Sequence, residues 1–306
     1  MRAELHADAG EAAASEEFFR SRPFLSAEGA THTLDIEVVR LPVIAREVEG
    51  SGGLLDAISP YGYPGGTSTG DGPPADPAAM DWSASGLVSL FVRDRIGEPP
   101  AFSNGTERSS VQVHDPSRER RVRSRFAEQV RHNEREGWQM ETATGPDASD
   151  HQRAAFLSLY TETMTRADAA PRYFYDALYF QRILEFERSW LLLASSDRAD
   201  IGAGAIAAAS DGVLHYYLGG TADANLDASP FKNVVVAMMD LADELGMPLN
   251  LGGGVVQGDG LEDFKRGFAN AERPFITHEI VCDPEAYERL SAGRDANDYF
   301  PAYRAP

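Results

Sequence analysis

Two adjoining stretches decide the fold: VLHYYLGGT at residues 213–221 and SPFKNVVVAMMDLADELG at residues 229–246. The first is short and rich in β-branched and aromatic residues, which is typical of a strand. The second opens with Ser229-Pro230 and closes with Gly246. Because proline suits the first helical turn and glycine suits the position just past a helix end, this stretch predicts a helix through Leu245.

The neighbouring stretches extend this strand and helix into a regular order. Apolar runs at residues 190–195 and 202–209 precede the first stretch with hairpin-length connections, so the three strands are predicted to form a meander. Two helices are predicted before the meander, and a strand, a helix, a strand and a last helix after residue 246. Their predicted ranges are 150–166, 175–187, 249–251, 261–268, 276–281 and 284–290.

The N-terminal part repeats this order more loosely. A Gly-, Pro- and Ser-rich stretch from Pro60 to about Pro77 has no hydrophobic period and predicts a long, mobile surface loop. Around it we predict a helix at 16–22, a hairpin of 34–48 and 52–59, strands at 87–92 and 110–114, an arginine-rich helix at 118–137 and a strand at 138–142.

This order of elements predicts an α/β (α+β) fold class with two subdomains. Each is expected to be a mixed, mostly antiparallel sheet flanked by helices. We place the first at residues 1–143, with the tail 283–306 packing on it, and the second at residues 144–282.

Composition excludes several classes of function. The formal net charge of −20 argues against a DNA-binding or anionic-membrane protein, although a local basic patch could hold one RNA end. Cys282 is the single cysteine, so no internal disulfide or cysteine zinc site can form. No signal peptide begins the sequence and no run approaches the ~20 apolar residues of a membrane span, so we expect a cytoplasmic protein.

Motifs of the common catalytic centres are missing from the sequence. No G-x-S-x-G motif occurs, the seven histidines lack H-x-x-x-H spacing, and neither GxxxxGK[ST] nor GxGxxG follows a strand. We therefore expect no metal and no bound cofactor.

One ordered set of short motifs remains. It comprises DAISPYGYPG at 56–65, the arginine-rich helix, HYYLGGT at 215–221, SPFKN at 229–233, LNLGGG at 249–254 and DFKRGF at 263–268. Over about residues 50–290 this order resembles the Fem family of non-ribosomal peptidyl transferases and their GNAT-like relatives. The resemblance implies two GNAT-like subdomains and an aminoacyltransferase that moves an amino acid from aminoacyl-tRNA to an amine. The chain lacks the helical arm of large Fem enzymes and is similar to a minimal form.

The resemblance also implies catalytic residues. Phe264 and Lys265 should lie in a central channel, where the lysine would stabilise the negative charge that develops on the carbonyl oxygen as an amine attacks an ester. A solvated helix residue is the alternative for a lysine. Lys232 and Lys265 are the only lysines of the chain, and both fall where a polar or anionic substrate is expected, so Lys232 is a candidate substrate-binding residue.

Further substrate-binding residues follow from the same resemblance. Tyr61 and Tyr63, in a loop rich in proline and glycine, would stack on a substrate or pack on the core. Arg172 and Tyr175 resemble the acceptor-binding region of the family, and an exposed surface arginine is the alternative for Arg172.

The strand at 213–219 offers one more candidate. Strand alternation leaves either Tyr216 or Tyr217 facing inward, and the resemblance favours Tyr217.

The acyl donor is predicted from the segment ADANLDASPFKN at 222–233. A CoA-dependent GNAT enzyme binds pyrophosphate with a [QR]-x-x-G-x-[GA] loop at a helix N-terminus, whereas this segment lacks that pattern and carries two aspartates. The expected partners are therefore the 3′ end of aminoacyl-tRNA and a small acceptor. The acceptor would be a nucleoside-peptide or other peptide natural product, as in antibiotic biosynthesis, or a peptidoglycan precursor.

Two other functions stay open. One is an acyl-CoA-dependent N-acyltransferase, and the other is a non-catalytic GNAT-like binding module. In each case we expect a monomer.

Overall fold

The computed structural model describes residues 1–14, 16–68, 73–197, 199–254, 256, 258–294 and 299–305. In these residues the strands are β1 (Glu4–His6), β2 (His32–Asp35), β3 (Val39–Glu47), β4 (Leu55–Ile58), β5 (Thr67–Ser68), β6 (Leu87–Arg93), β7 (Thr106–His114), β8 (Gln139–Thr144), β9 (Ser189–Ser196), β10 (Ala199–Ser210), β11 (Val213–Thr221), β12 (Leu249–Gly252) and β13 (Ala271–Val281). The α-helices are α1 (Arg22–Ala27), α2 (Ser124–Arg135), α3 (Asp150–Arg166), α4 (Ala177–Ile183), α5 (Phe231–Leu245), α6 (Gly260–Arg266) and α7 (Pro284–Ser291).

The chain forms two compact units. Unit 1 comprises residues 1–109 and 274–306, and unit 2 comprises residues 110–273. The predicted subdomain boundary between residues 143 and 144 falls in β8, inside unit 2. Units defined by contacts need not coincide with halves inferred from a repeated order of elements, so that boundary stays a prediction.

Unit 1 is built on strands in the order β1-β2-β3-β4-β6-β13, and β5 pairs with β3. The pairs are antiparallel except for β4 with β6, which is parallel. The predicted hairpin is confirmed, because β3 pairs with β4 with Ile44 opposite Ile58. The core of this unit contains Leu41 and Val43 of β3 and Leu90 and Val92 of β6, which alternate along their strands as a half-buried sheet requires.

Unit 2 is built on strands in the order β7-β12-β11-β10-β9-β8. The predicted meander is confirmed as β9, β10 and β11, which pair antiparallel, and β12 joins β11 in parallel. Helix α5 packs on this sheet, and its Gly246 has the left-handed φ of 64° that ends a helix. Mixed, mostly antiparallel sheets with flanking helices confirm the predicted fold class.

Two predicted helices begin later than expected. The helix predicted at 118–137 begins at Ser124, because side chains hold the preceding stretch in another conformation: Asp115 accepts hydrogen bonds from Ser117, and Asn270 donates to the Glu119 carbonyl. Within the range 16–22 predicted as a helix, Phe18–Arg20 form a short 3-10 helix. The α-helix α1 begins only after it, since Ser21 caps α1 by accepting from the backbone N–H of Phe24.

The stretch predicted as a loop, from Pro60 to about Pro77, is partly ordered by strand pairing. Thr67–Ser68 forms β5 against β3, and a short 3-10 helix covers Pro77–Ala79. Residues 69–72 lie outside the described residues, and the predicted mobility of the loop stays a prediction.

A β-bulge interrupts β11. Leu218 lies opposite Ile206 and Tyr216 lies opposite Ala207, so Tyr217 is an extra residue with no counterpart in β10. A bulge breaks the strict alternation of side chains along a strand. The choice between Tyr216 and Tyr217 therefore does not follow from alternation.

Candidate functional site

Lys265 lies in α6 and is only 9% exposed, so it is not the solvated lysine that its residue type would suggest. Its Nζ donates a hydrogen bond of 2.7 Å to the carbonyl oxygen of Gly253. The same atom lies 5.7 Å from the centre of the Tyr216 ring, a cation–π distance. Among the described residues no carboxylate forms an ion pair with Lys265. An ammonium has three N–H donors, and the bond to Gly253 uses one of them.

The protonation of Lys265 is shifted by its surroundings. Burial lowers the pKa of Lys265 to about 8, and the negative charge of Asp259 partly opposes this shift. A buried cation without a carboxylate partner is costly unless other groups stabilise it. Lys265 is therefore mostly charged at neutral pH but close to its titration point, as catalytic groups often are.

Two carboxylates fix the segment that presents Lys265. Asp259 caps α6 by accepting from the backbone N–H of Glu262 at 2.8 Å. Glu262 is buried, and its carboxylate accepts from the N–H of Gly258 at 2.6 Å. A Cβ at Gly254 would lie 2.4 Å from the Asp259 carboxylate, so only glycine fits there without a shift. Gly254 thus allows the backbone to approach the Asp259 carboxylate closely.

A buried polar pair fixes the start of the same turn. The Asn250 side chain accepts from the N–H of Gly252 at 2.8 Å, and its Nδ2 lies 3.1 Å from Nδ1 of His215. His215 Nε2 lies 3.3 Å from the carbonyl oxygen of Ser210, which can only accept, so Nε2 carries the proton. Burial lowers the pKa of His215 to about 4, which keeps the ring neutral. The pair therefore acts as a rigid polar link between β11 and β12.

Phe264 lies beside Lys265 within a group of aromatic rings. The members of this phenylalanine cluster are Phe126, Phe231, Phe264 and Phe268, with the Phe264 ring centre 5.5 Å from Phe126 and 5.4 Å from Phe268. Tyr216 borders both this cluster and Lys265, since its ring centre lies 5.6 Å from that of Phe231. Phe264 thus forms part of an apolar wall next to the lysine, and its catalytic role stays a prediction.

Tyr217 and Tyr175 are brought together by a third tyrosine. The hydroxyl groups of Tyr217 and Tyr179 hydrogen-bond to each other. The rings of Tyr179 and Tyr175 stack with centres 3.8 Å apart and planes within 10°. Arg172 lies nearby in sequence and is exposed, with its guanidinium carbon 5.0 Å from the centre of the Tyr173 ring. The substrate-binding roles of these residues stay predictions.

Lys232 borders the phenylalanine cluster from the first turn of α5. Its Nζ lies 5.3 Å from the centre of the Phe126 ring. Burial, and then the positive charge of Arg125, lower the pKa of Lys232. Lys232 therefore lies against Phe126, which contacts Phe264, and Lys265 lies against Tyr216, which contacts Phe231 of the same cluster.

Tyr61 and Tyr63 belong to unit 1. Tyr61 is 40% exposed, and its backbone N–H donates to the Glu28 carboxylate at 3.1 Å. The Tyr63 ring packs edge-to-face against Phe19 and Phe275 with centres 5.6 and 5.4 Å away. Tyr63 thus packs within its own unit, and a role of either tyrosine toward substrate stays a prediction.

The sequence reasoning did not single out Tyr179 or Asn250, and it favoured Tyr217 over Tyr216. A bulge in β11 has no signature in the sequence, so the placement of Tyr216 beside Lys265 could not be inferred. Asn250 had a signal, because it is a polar residue between two leucines in a short strand. Buried polar groups need hydrogen-bond partners, and that rule would have pointed to a neighbour such as His215.

The described part of the chain offers neither a cluster of metal ligands nor a membrane-spanning helix. No group of three or more His, Cys, Asp and Glu side chains there could hold a metal ion. No helix there has both the length and the apolar character that a membrane crossing needs.

Part of the chain is similar to a known protein domain. Residues 120–266 match the family model of the acetyltransferase (GNAT) domain, a segment that contains Lys232, Phe264 and Lys265. No curated protein matches the sequence. The fold is GNAT-like, and the matched segment is similar to an acetyltransferase domain.

Solved structures agree with this fold. The crystal structure of FemX matches with a TM-score of 0.63 and 10% identity, over 93% of this chain and 97% of that one. The C-terminal DUF2156 domain assigned to a lysylphosphatidylglycerol synthetase from Agrobacterium fabrum matches with a TM-score of 0.54 and 12% identity, over 86% and 87%. A conserved protein of unknown function from Bacteroides thetaiotaomicron matches with a TM-score of 0.53 and 10% identity, over 87% and 90%. At these identities the likeness shows the fold alone.

Proposed function

We propose that the protein is an aminoacyltransferase, which moves an amino acid from aminoacyl-tRNA to an amine of a peptide-type acceptor and forms a peptide bond. The observation that carries this proposal is Lys265, a buried lysine with no carboxylate partner among the described residues, within the segment that matches the GNAT domain. The Fem-like order of motifs supports tRNA as the donor, and the similarity of the fold to that of FemX agrees with it.

The proposed reaction needs positioning and charge stabilisation more than a strong base. The acceptor nitrogen attacks the ester carbonyl carbon, the C–N bond forms, and the ester C–O bond breaks. The proton lost by the amine ends on the departing 3′ oxygen of the tRNA. The Lys265 ammonium would donate a hydrogen bond to the carbonyl oxygen while it carries negative charge. The Gly253 carbonyl would hold Nζ in place during this step.

A second candidate function is transfer of an acyl group from acyl-CoA to an amine. The match of residues 120–266 to an acetyltransferase domain favours it. Against it, the segment before α5 lacks the glycine-rich pyrophosphate loop, and Asp223 in that segment pairs with Arg166. Calorimetric titration with CoA separates the two, because tight CoA binding would support the second function over the first.

The decisive experiment replaces Lys265. The purified protein is incubated with a mixture of charged tRNAs and candidate amines, and products are identified by mass spectrometry. Lys265→Met should lower the transfer rate about 10²- to 10³-fold, because one oxyanion donor is worth about 2.7–4 kcal/mol. The matched control is Arg135→Met, which replaces an exposed residue on α2 and should keep full activity. A Lys265→Met protein that transfers at the wild-type rate would overturn the proposal.

The unfolding stability of Lys265→Met, compared with that of the wild type, separates a catalytic role of Lys265 from a structural one. Its pKa falls from 10.5 to about 8 on folding, so the folded state binds the proton less well. The penalty is about 3 kcal/mol below about pH 8, and it disappears as pH rises to about 10.5. Methionine removes this penalty but leaves the Gly253 carbonyl unpaired, at about 1–3 kcal/mol. Lys265→Met should therefore unfold within about 1–2 kcal/mol of the wild type in urea at pH 7.

A further inference from the structure

Three cationic side chains surround one aromatic ring in unit 2. The guanidinium carbons of Arg123 and Arg125 lie 5.1 and 5.2 Å from the centre of the Phe126 ring, and Nζ of Lys232 lies 5.3 Å from it. Each distance is short enough for a cation–π contact. Arg123, Arg125 and Lys232 are called the Phe126 cation cluster.

The charges of this cluster are not balanced within the described residues. Among the described residues, Asp263 is the carboxylate that contacts the cluster. Arg123 donates two hydrogen bonds to the Asp263 carboxylate at 2.9 and 2.8 Å, and a guanidinium nitrogen of Arg125 lies 3.7 Å from one of its oxygens. Lys232 has no hydrogen bond or ion pair from its ammonium in the described part of the chain. Three cations and one carboxylate leave two positive charges in excess, in a chain whose net charge is −20.

The positive charges of Arg125 and Lys232 repel each other. The pKa of Lys232 is lowered by burial and, after that, by the charge of Arg125. Arg125 stays 68% exposed, so its guanidinium is open to a partner from solution. An anion placed among the three cations would relieve the repulsion, which makes the cluster a ready anion site.

The neighbouring arginines are arranged differently. Arg120 is paired with Asp240 and Asp243, and Arg118 is paired with Asp115. Arg131 and Arg135 are exposed further along α2 and lie over no aromatic ring of the described residues. The structure thus selects the cation cluster from a longer arginine-rich stretch that the sequence could not divide.

The cluster adjoins the candidate catalytic lysine. The Phe126 ring contacts Phe264, the residue before Lys265, at 5.5 Å between ring centres. Asp263, which holds Arg123, also belongs to α6, and its backbone carbonyl accepts from Arg123 at 3.3 Å. The same helix therefore carries both Lys265 and the carboxylate that orients the cluster.

We propose that the Phe126 cation cluster binds backbone phosphates at the 3′ end of the donor RNA and so places the ester beside Lys265. The assignment of the bound RNA as the aminoacyl donor rests on the proposed function. Guanidinium groups suit phosphate because they donate two parallel hydrogen bonds to its oxygens. The pyrophosphate of CoA offers the same chemistry, so the test includes both ligands.

The test measures binding without turnover. A fluorescein-labelled single-stranded RNA ending in CCA, with no amino acid attached, is titrated by fluorescence anisotropy at several KCl concentrations. The double variant Arg125→Gln/Lys232→Gln should bind at least tenfold more weakly, and its log Kd should depend on log salt with a slope smaller by about 1.4, since each phosphate contact to a single strand contributes about 0.7. The control variant Arg131→Gln/Arg135→Gln should keep the wild-type affinity and slope.

The outcomes separate this inference from the proposed function. If the double variant and the wild type have equal RNA affinity and equal salt dependence, the proposed phosphate-binding role of the cluster is overturned. This holds even if the protein transfers amino acids from charged tRNA. Cluster-dependent RNA binding without any transfer product would support the cluster and leave the proposed function without support. Cluster-dependent binding of CoA, with no RNA binding, would overturn the assignment to RNA. Arg125→Glu serves as a second variant if the double variant unfolds, because Arg125 is an exposed position.

Discussion

The charge state of Lys265 can be tested directly by changing pH. If the cationic form stabilises the reacting carbonyl oxygen, the transfer rate should fall as the ammonium loses its proton. Burial places the pKa of this lysine at about 8. An ordinary exposed lysine, with a pKa of about 10.4, would stay charged over the same range.

The size of the effect follows from that pKa. At a pKa of about 8, roughly 90% of Lys265 is protonated at pH 7 and roughly 10% at pH 9. The kcat should therefore fall about tenfold over this range through Lys265 alone. The acceptor amine acts in the opposite direction, because it loses its own proton near pH 8 and becomes a better nucleophile. The quantity to compare is thus the ratio of wild-type kcat to that of Lys265→Arg, whose guanidinium stays charged.

Two measurements check this prediction. Single-turnover transfer from pre-charged tRNA at pH 7, 8 and 9 gives the ratio, which should fall about tenfold. Because the chain has only two lysines, protein labelled with ¹³C at lysine Cε gives two lysine signals, and Lys232→Arg assigns them. The Lys265 signal should titrate with a midpoint near pH 8. A ratio that stays flat from pH 7 to 9, or a Lys265 midpoint above pH 10, would refute the reasoning.

Two further predictions concern the framework of unit 2. Gly220→Ala should lower the free energy of unfolding by about 1–3 kcal/mol in urea denaturation, because its Cβ would lie 2.4 Å from the Leu159 carbonyl oxygen. The control is Gly260→Ala, whose Cβ would lie in open space at the start of α6. This control should raise the free energy of unfolding by about 0.4–1 kcal/mol. Asn250→Ala should cost about 1–3 kcal/mol in the same assay, because it removes the hydrogen bonds of Asn250 with His215 and with the Gly252 N–H. It should also reduce kcat, because the segment that holds Lys265 is then less restrained; unchanged kcat with reduced stability would contradict this second part.

Much of the fold of unit 2 was predictable because local signals agreed with the packing. The helix from Phe231 to Leu245 has proline before its start and left-handed Gly246 at its end, and the strand before it carries β-branched and aromatic residues. The arginine-rich stretch was harder to bound. Its residues favour a helix from 118, but hydrogen bonds from Asn270, distant in sequence, delay the start to Ser124. Contacts of that range leave no local pattern.

The candidate site was predictable only in part. The scarcity of lysine singled out Lys232 and Lys265 as candidates. Both are at least partly buried and lie against aromatic rings, and their roles toward substrate stay predictions. Which tyrosine lies beside Lys265 depends on the bulge at Tyr217, and a bulge depends on the register of two strands. The sequence alone does not fix that register.

The physical character of position 265 bears on why it holds lysine rather than arginine in a chain that otherwise uses arginine for nearly all its positive charge. A guanidinium keeps its charge at any physiological pH and spreads its donors over a plane. An ammonium is compact, and burial can lower its pKa to about 8. One of its donors binds the Gly253 carbonyl, and the turn that carries this carbonyl is fixed by Asn250 and Asp259. A simple structural cation would be served as well by arginine at the surface. A compact buried donor with a lowered pKa is the kind of group that the proposed transfer would need at that point.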